Sequence, residues 1–128
     1  MIGSKRKIRS IADQLESEGI AVVDSPLFLA ALLTPAGPLT AREPSPAQWR
    51  DIEFGLTVAK GIGAFDIGQT VVVKSRIVLA VEALEGTDAA LRRGGSLARG
   101  GAVAVKVSKP QQDLRFDVPA VGPATIAV

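Results

Sequence analysis

Between residues 5 and 18, apolar side chains return every three or four positions, at Ile8, Ile11, Ala12 and Leu15. That spacing predicts an amphipathic helix, and Gly19 supplies its stop. Residues 20–23 are a short apolar run that predicts a strand. Asp24 and Pro26 then offer an N-cap and an N1 proline for a helix through Leu33. Residues 34–46 hold four prolines, at 35, 38, 44 and 46, and read as a linker or domain boundary. Ser45 with Gln48 three positions on is a capping-box pattern with Pro46 at N1. The helix it opens carries Trp49, Ile52, Leu56 and Ala59 as its expected buried stripe, and Gly61 and Gly63 are expected to end it.

At Thr70 the period shortens from that of a helix to that of a strand. Residues 70–74 and 77–84 are β-branched runs around a turn at Ser75, which predicts an antiparallel hairpin. Thr87 is the expected cap of a helix over 88–98, closed by the glycine-rich stretch 94–101. Residues 102–108 predict another strand, and a last short strand is expected near 125–128. The fold class that follows is α+β or mixed α/β, with helices followed by a small β-sheet of hairpin, helix and strand and then an irregular C-terminal segment.

Composition narrows the chemistry. The chain has 128 residues, enough for one domain, and contains no His, no Cys and no Tyr. Imidazole bases, thiolate nucleophiles, disulfides and zinc sites of the Cys/His kind are excluded. Catalysis must rest on carboxylates, Lys, Arg, hydroxyls or amides, and a metal would need oxygen ligands, as Mg²⁺ or Mn²⁺ do. The net charge is only +2, with the surplus at Lys5, Arg6, Lys7 and Arg9. Four cations at a chain start read as a solvated tail, and with four Phe and one Trp there is little for bases to stack on, so nucleic acid is not the expected partner. The longest uncharged run, residues 25–41, carries three prolines and a glycine and does not predict a spanning helix. No secretory signal is visible, and a cytoplasmic location is expected.

Three places could carry chemistry. Glu82 interrupts a strand that is otherwise apolar on both faces, and Lys106 does the same on its strand. They form either a structural pair or a polar site opening toward a ligand. Glu85 and Asp88 flank a strand-to-helix junction through Gly86 and Thr87, where free N–H groups suit an anion but two carboxylates would repel phosphate unless a divalent cation lay between; ordinary capping is the plain alternative. Residues 106–119 are the densest polar run, with Lys106, Lys109, Gln111, Gln112, Asp113, Arg115 and Asp117. In it Leu114, Phe116 and Val118 are expected to anchor one face while Arg115 and Asp117 project from the other. The Gly61 and Gly63 pair lacks dinucleotide-binding spacing.

Residues 66–73 (DIGQTVVV), 78–88 (VLAVEALEGTD) and 106–119 (KVSKPQQDLRFDVP) together resemble the UDP-2,3-diacylglucosamine pyrophosphatase family of the LpxI type, mainly its C-terminal domain, with the likeness running from about Gly19 to Val128. The resemblance implies hydrolysis of the pyrophosphate by water attack at the α-phosphate, giving UMP and 2,3-diacylglucosamine 1-phosphate in lipid A biosynthesis. It implies a Mg²⁺ (or Mn²⁺) cofactor and a peripheral place on the cytoplasmic side of the inner membrane, where the lipid-linked substrate lies. The family's critical aspartate maps onto Asp117, as general base or Mg²⁺ ligand. Glu82, Glu85 and Asp88 are then candidate metal carboxylates. Lys106, Lys109 and Arg115 are candidates to neutralise phosphoryl charge, and Gln69, Thr87, Gln111 and Gln112 to orient substrate or water. By the same likeness, residues 1–33 read as the remnant of an N-terminal domain, 34–46 as linker and 47–128 as the catalytic-type domain, truncated relative to the family at both ends. A non-catalytic module that binds a nucleotide or phospholipid, or associates with itself, is the alternative. A homodimer that hides apolar surface is a further expectation, since the mean hydropathy is +0.28.

Overall fold

The computed structural model describes residues 2–113, 115 and 117–128, with the side chains of 2–9 and of Ser25 left aside. Leu114 and Phe116, two of the three expected anchors, lie outside the described residues. The chain forms two compact units, Met1–Pro35 with Asp113–Val118, and Ala36–Gln112 with Pro119–Val128.

In the first unit, α1 (Ile2–Ser17) ends as its sequence predicts. Gly19 takes φ +82°, its N–H donates to Glu16 O and the Ile20 N–H reaches back to Leu15 O, the two crossed bonds of a Schellman stop. The next two expectations do not hold. Residues 20–23 are irregular and not a strand: an apolar run becomes a strand only with a partner ladder, and none pairs with it among the described residues. The helix expected through Leu33 is instead two 3₁₀ turns, Ser25–Phe28 and Ala30–Leu32. Leu27, Phe28 and Leu32 are all more than 60% exposed, so no buried face repays helix nucleation here.

The second unit is a three-layer arrangement. β1 (Thr70–Lys74) is the central strand, flanked by antiparallel β2 (Ile77–Val81) and β3 (Val103–Lys106) in the order β2-β1-β3. One face of β1 presents Val71 and Val73, which with Val105 and Ala59 form the core beneath α2 (Pro46–Ala64). The other face presents Val72, which lies against Gly94 of α3 (Thr87–Ala98). The fold is therefore α+β, as expected.

α2 opens on the predicted capping box: Gln48 N donates to Ser45 Oγ at 3.3 Å and Ser45 N to Gln48 Oε1 at 2.8 Å. Its buried stripe differs from the expected one. Asp51, Gly55, Ala59 and Gly63 are buried, whereas Trp49 and Leu56 are exposed. The reason is proximity: a Cβ at Gly55 would sit 2.7 Å from Val105 Cγ2, so the helix backbone rests almost on the sheet and small residues must face it. The helix also runs past Gly61 and Gly63 to Ala64.

Asp51 does more than pack. Ser75 and Arg76 both adopt positive φ (52° and 58°), the geometry of a two-residue hairpin turn, and their N–H groups donate to Asp51 Oδ2 and Oδ1 at 2.9 and 2.6 Å. Neither turn residue is one that favours φ > 0, so the buried carboxylate substitutes for turn chemistry. Asp51→Ala is expected to cost about 2–4 kcal/mol, read as a lower urea midpoint at unchanged m-value. A change below about 0.5 kcal/mol would remove Asp51 from the turn's support.

Two more elements close the unit. α3 ends at Arg99 in the left-handed region, and Lys74 Nζ donates to its terminal carbonyls at Ala98 and to Gly100, each at 2.8 Å. Where a final strand was expected, residues Pro123–Ile126 form a single helical turn, α4. Pro123 at N1 presets the helical φ, and the Ile126 and Ala127 N–H groups close i→i−4 bonds.

Candidate functional site

The residues chosen from sequence in the second unit gather at one end of its sheet, where β1 begins, β2 and β3 end and α3 starts. Register does this. Thr70 stands opposite Lys106, and Glu82 N donates to Thr70 O at 2.8 Å, extending the β2 pairing by one residue. Lys106, Thr70 and Glu82 thus form one row across three strands, and strand alternation puts them on the Val72 face, toward α3.

Thr87 joins that row from α3. It was expected to cap the helix, but Gly86 (φ +85°) is the N-cap and makes no side-chain cap bond, while Thr87 is the first helical residue. Its hydroxyl donates to Glu82 Oε1 at 3.0 Å and accepts from Lys106 Nζ at 2.7 Å. Glu82 and Lys106 are thus joined through a hydroxyl. Glu82 is 8% exposed and Thr70 1%, and both retain a buried atom with no hydrogen-bond partner, Oε2 and Oγ1 respectively.

The 82–86 loop is held separately. Arg93 bonds Val81 O at 2.9 Å and Glu85 Oε1 at 2.8 Å, and the Ala83 N–H donates to Glu85 Oε2. Glu85's own backbone N–H, helped by Arg93 and Ala83 against a burial penalty, holds its carboxyl below the usual range. Asp88 is half-buried in the first turn of α3.

On the α2 side of the same end, the Lys109 ammonium meets Asp66 at 2.7 Å. Gln111 Nε2 donates to Gly63 O at 3.0 Å, and Gln112 Oε1 accepts from Lys109 N at 2.9 Å. Gln69 O receives the Val107 N–H at 2.9 Å. Gln69 Oε1 and Gln112 Nε2 are buried without partners, so four polar atoms at this sheet end go unsatisfied. Buried polar atoms in folded cores are rarely left so, which makes this end of the sheet the candidate site.

Arg115 and Asp117 belong to the first unit. Arg115 clasps Asp113 with Nε at 3.0 Å and Nη2 at 2.9 Å, and its Nη1 reaches Glu16 at 2.9 Å. Asp113 foremost, and Glu16 after it, push the guanidinium pKa further up. The Asp117 N–H donates to Asp113 O at 2.9 Å, closing a turn. The Asp113 carboxylate also takes the Arg115 N–H at 3.2 Å. The anchoring expected of Leu114 and Phe116 lies outside the described residues.

A divalent cation fits this donor set poorly. Both Glu85 oxygens are engaged by Arg93 and Ala83, and Glu82 faces a hydroxyl and, through it, an ammonium. Among the described residues no three carboxylates gather closely enough to hold a metal ion. Nor is any helix among them long and apolar enough to cross a membrane.

Sequence reasoning did not assign roles to Asp66 and Thr70. Thr70 carried a usable signal, a hydroxyl in register with an out-of-place Lys and Glu. Asp66 carried none, since its partner Lys109 lies 43 residues away.

Comparison with known proteins places the chain among relatives. The LpxI C-terminal domain family matches residues 35–128. Over an aligned stretch of 132 residues the chain is 41% identical to the UDP-2,3-diacylglucosamine pyrophosphatase LpxI of Caulobacter vibrioides, a match covering 97% of this chain and 47% of that protein. The chain spans about half the length of the curated relative it matches.

Proposed function

The chain belongs to the LpxI C-terminal domain family, and from that premise we propose that it serves the hydrolysis of UDP-2,3-diacylglucosamine to UMP and 2,3-diacylglucosamine 1-phosphate, a step of lipid A biosynthesis. The observation that carries this reading is the 41% identity, over almost the whole chain, to a relative named for that pyrophosphatase activity. The sheet end supports it with the side chains such a substrate needs. Lys106 brings an ammonium for phosphoryl oxygens, and Thr87, Gln69, Gln111 and Gln112 bring hydroxyl and amide groups that orient.

In the proposed reaction a water oxygen bonds to the α-phosphorus and the bridging P–O bond breaks. UMP keeps the new oxygen, and the sugar 1-phosphate leaves with the bridging one. In the second unit Lys106 stabilises charge on the phosphoryl oxygens, with Lys109 a further candidate. For the first unit the likeness to the family proposes Asp117 as the general base that accepts the water's proton and Arg115 as a further cation. The absence of His and Cys is consistent with this, because phosphoryl hydrolysis needs positioning and charge rather than a covalent nucleophile. The reaction takes place at the cytoplasmic face of the inner membrane, where a diacylated substrate resides.

The test is an assay of this chain for UMP release from UDP-2,3-diacylglucosamine, with Mg²⁺ or Mn²⁺ and again with EDTA. Release is the expected result, and its survival or loss in EDTA decides whether a divalent cation takes part. No release in any buffer, with UMP still bound by thermal shift, would replace hydrolysis by a binding role.

A further inference from the structure

Thr87 occupies a position where a hydroxyl ordinarily caps or faces solvent, yet both functions of its oxygen are used inward. A hydroxyl has one proton, so donation to Glu82 Oε1 directs its lone pairs to the Lys106 ammonium, and the order Lys106 to Thr87 to Glu82 is set. The unit does not look like core satisfaction. Glu82 is more than nine-tenths buried with Oε2 unpartnered, and Thr70, between the two charged residues in the strand row, is fully buried with its hydroxyl unpartnered. A direct Lys–Glu pair or apolar side chains would serve stability better.

Thr87 also acts as a spacer. Without it the flexible Lys106 stem would let the ammonium close directly on Glu82, and the pair would neutralise itself. With the hydroxyl between them, one Lys106 N–H goes to Thr87, and among the described residues the ammonium has no other partner. Two N–H donors therefore remain beside the first turn of α3. Asp88 in that turn offsets the positive end of the helix dipole, so the ammonium is the element that attracts an anion.

We propose that Thr87 is the positioning residue of a phosphoryl-binding site at the sheet end, holding the Lys106 ammonium off Glu82 and toward the pyrophosphate of a sugar nucleotide. The choice of ligand class rests on the hydrolytic reading above.

A double-mutant cycle on the whole chain tests it, with pyrophosphate in Mg²⁺ buffer as the titrated probe and calorimetry as the readout. Thr87→Val and Lys106→Met are each expected to weaken binding about tenfold, the worth of one charge-assisted hydrogen bond. The double variant should bind about as weakly as Lys106→Met alone, because Thr87 acts through Lys106. Thr87→Ser, which keeps the hydroxyl, should restore affinity to within about twofold, all variants being titrated well below their melting transitions so that affinity is read on folded chain. The assignment is overturned if wild-type chain binds no pyrophosphate, if Thr87→Val binds like wild type, if Thr87→Ser is as weak as Thr87→Val, or if the two losses multiply. The expected cycle in a chain that releases no UMP supports the Thr87 assignment and removes only the hydrolytic reading. UMP release with an unperturbed Thr87→Val overturns the assignment alone.

Discussion

Gly68→Ala is expected to destabilise the chain by roughly 3–5 kcal/mol and to take the sheet end with it. A Cβ at position 68 would lie 1.9 Å from the carbonyl oxygen of Glu82 and 2.7 Å from its carbonyl carbon. These are backbone atoms of the segment that donates the Glu82 N–H to Thr70 O, so no rotamer change relieves the overlap. The main chain at Glu82 must move, and with it the carboxylate that receives the Thr87 hydroxyl. Urea denaturation should show the loss, and pyrophosphate binding should fall more than the loss of folded protein accounts for. Gly61→Ala and Gly95→Ala are the controls. Both lie inside helices with nothing within 4 Å of an added Cβ, and each should stabilise by about 0.5–1 kcal/mol. A Gly68→Ala chain as stable as those controls would show that residues 66–69 do not run against β2.

Asp117→Asn should lower UMP release by about 10²–10⁴-fold per folded molecule, with the urea midpoint measured beside it. The swap keeps size and shape but removes the proton acceptor. The backbone N–H of Asp117, which closes the turn on Asp113 O, is unaffected by it, as is the Arg115–Asp113 clasp. Turnover within threefold of wild type would dismiss Asp117 as the base, and a large stability loss would make its role architectural.

The legible features of this fold are local ones. The Ser45–Gln48 capping box spans four residues, the Gly19 stop spans six, and the hairpin shows in β-branched runs on either side of a short turn. The first two are decided by groups close in sequence, whereas the hairpin, though visible in its runs, has its turn held by Asp51 from α2. The strand expected at residues 20–23 and the one near 125–128 failed for the opposite reason: β-propensity marks a segment that could pair, and pairing depends on residues elsewhere. The α2 stripe failed because periodicity counts large apolar residues. Burial there is ruled by how closely the helix approaches Val73 and Val105, which only Gly55 and Ala59 permit.

The candidate site divides the same way. Glu82 and Lys106 stood out because a charge on an apolar strand face has to be answered by something, and that follows from composition and period alone. What answers them did not. Thr87 was expected to serve its own helix, and only the register that sets Lys106 opposite Thr70, with Glu82 one bond further, places its hydroxyl between the two charges. Likewise the sequence by itself determined that the chain must work with carboxylates, amines and hydroxyls, since it has no imidazole or thiol. Which of those groups share a site was decided by tertiary structure, because hydrogen bonds over 19 to 48 residues of separation depend on strand register and helix approach, which no local pattern encodes.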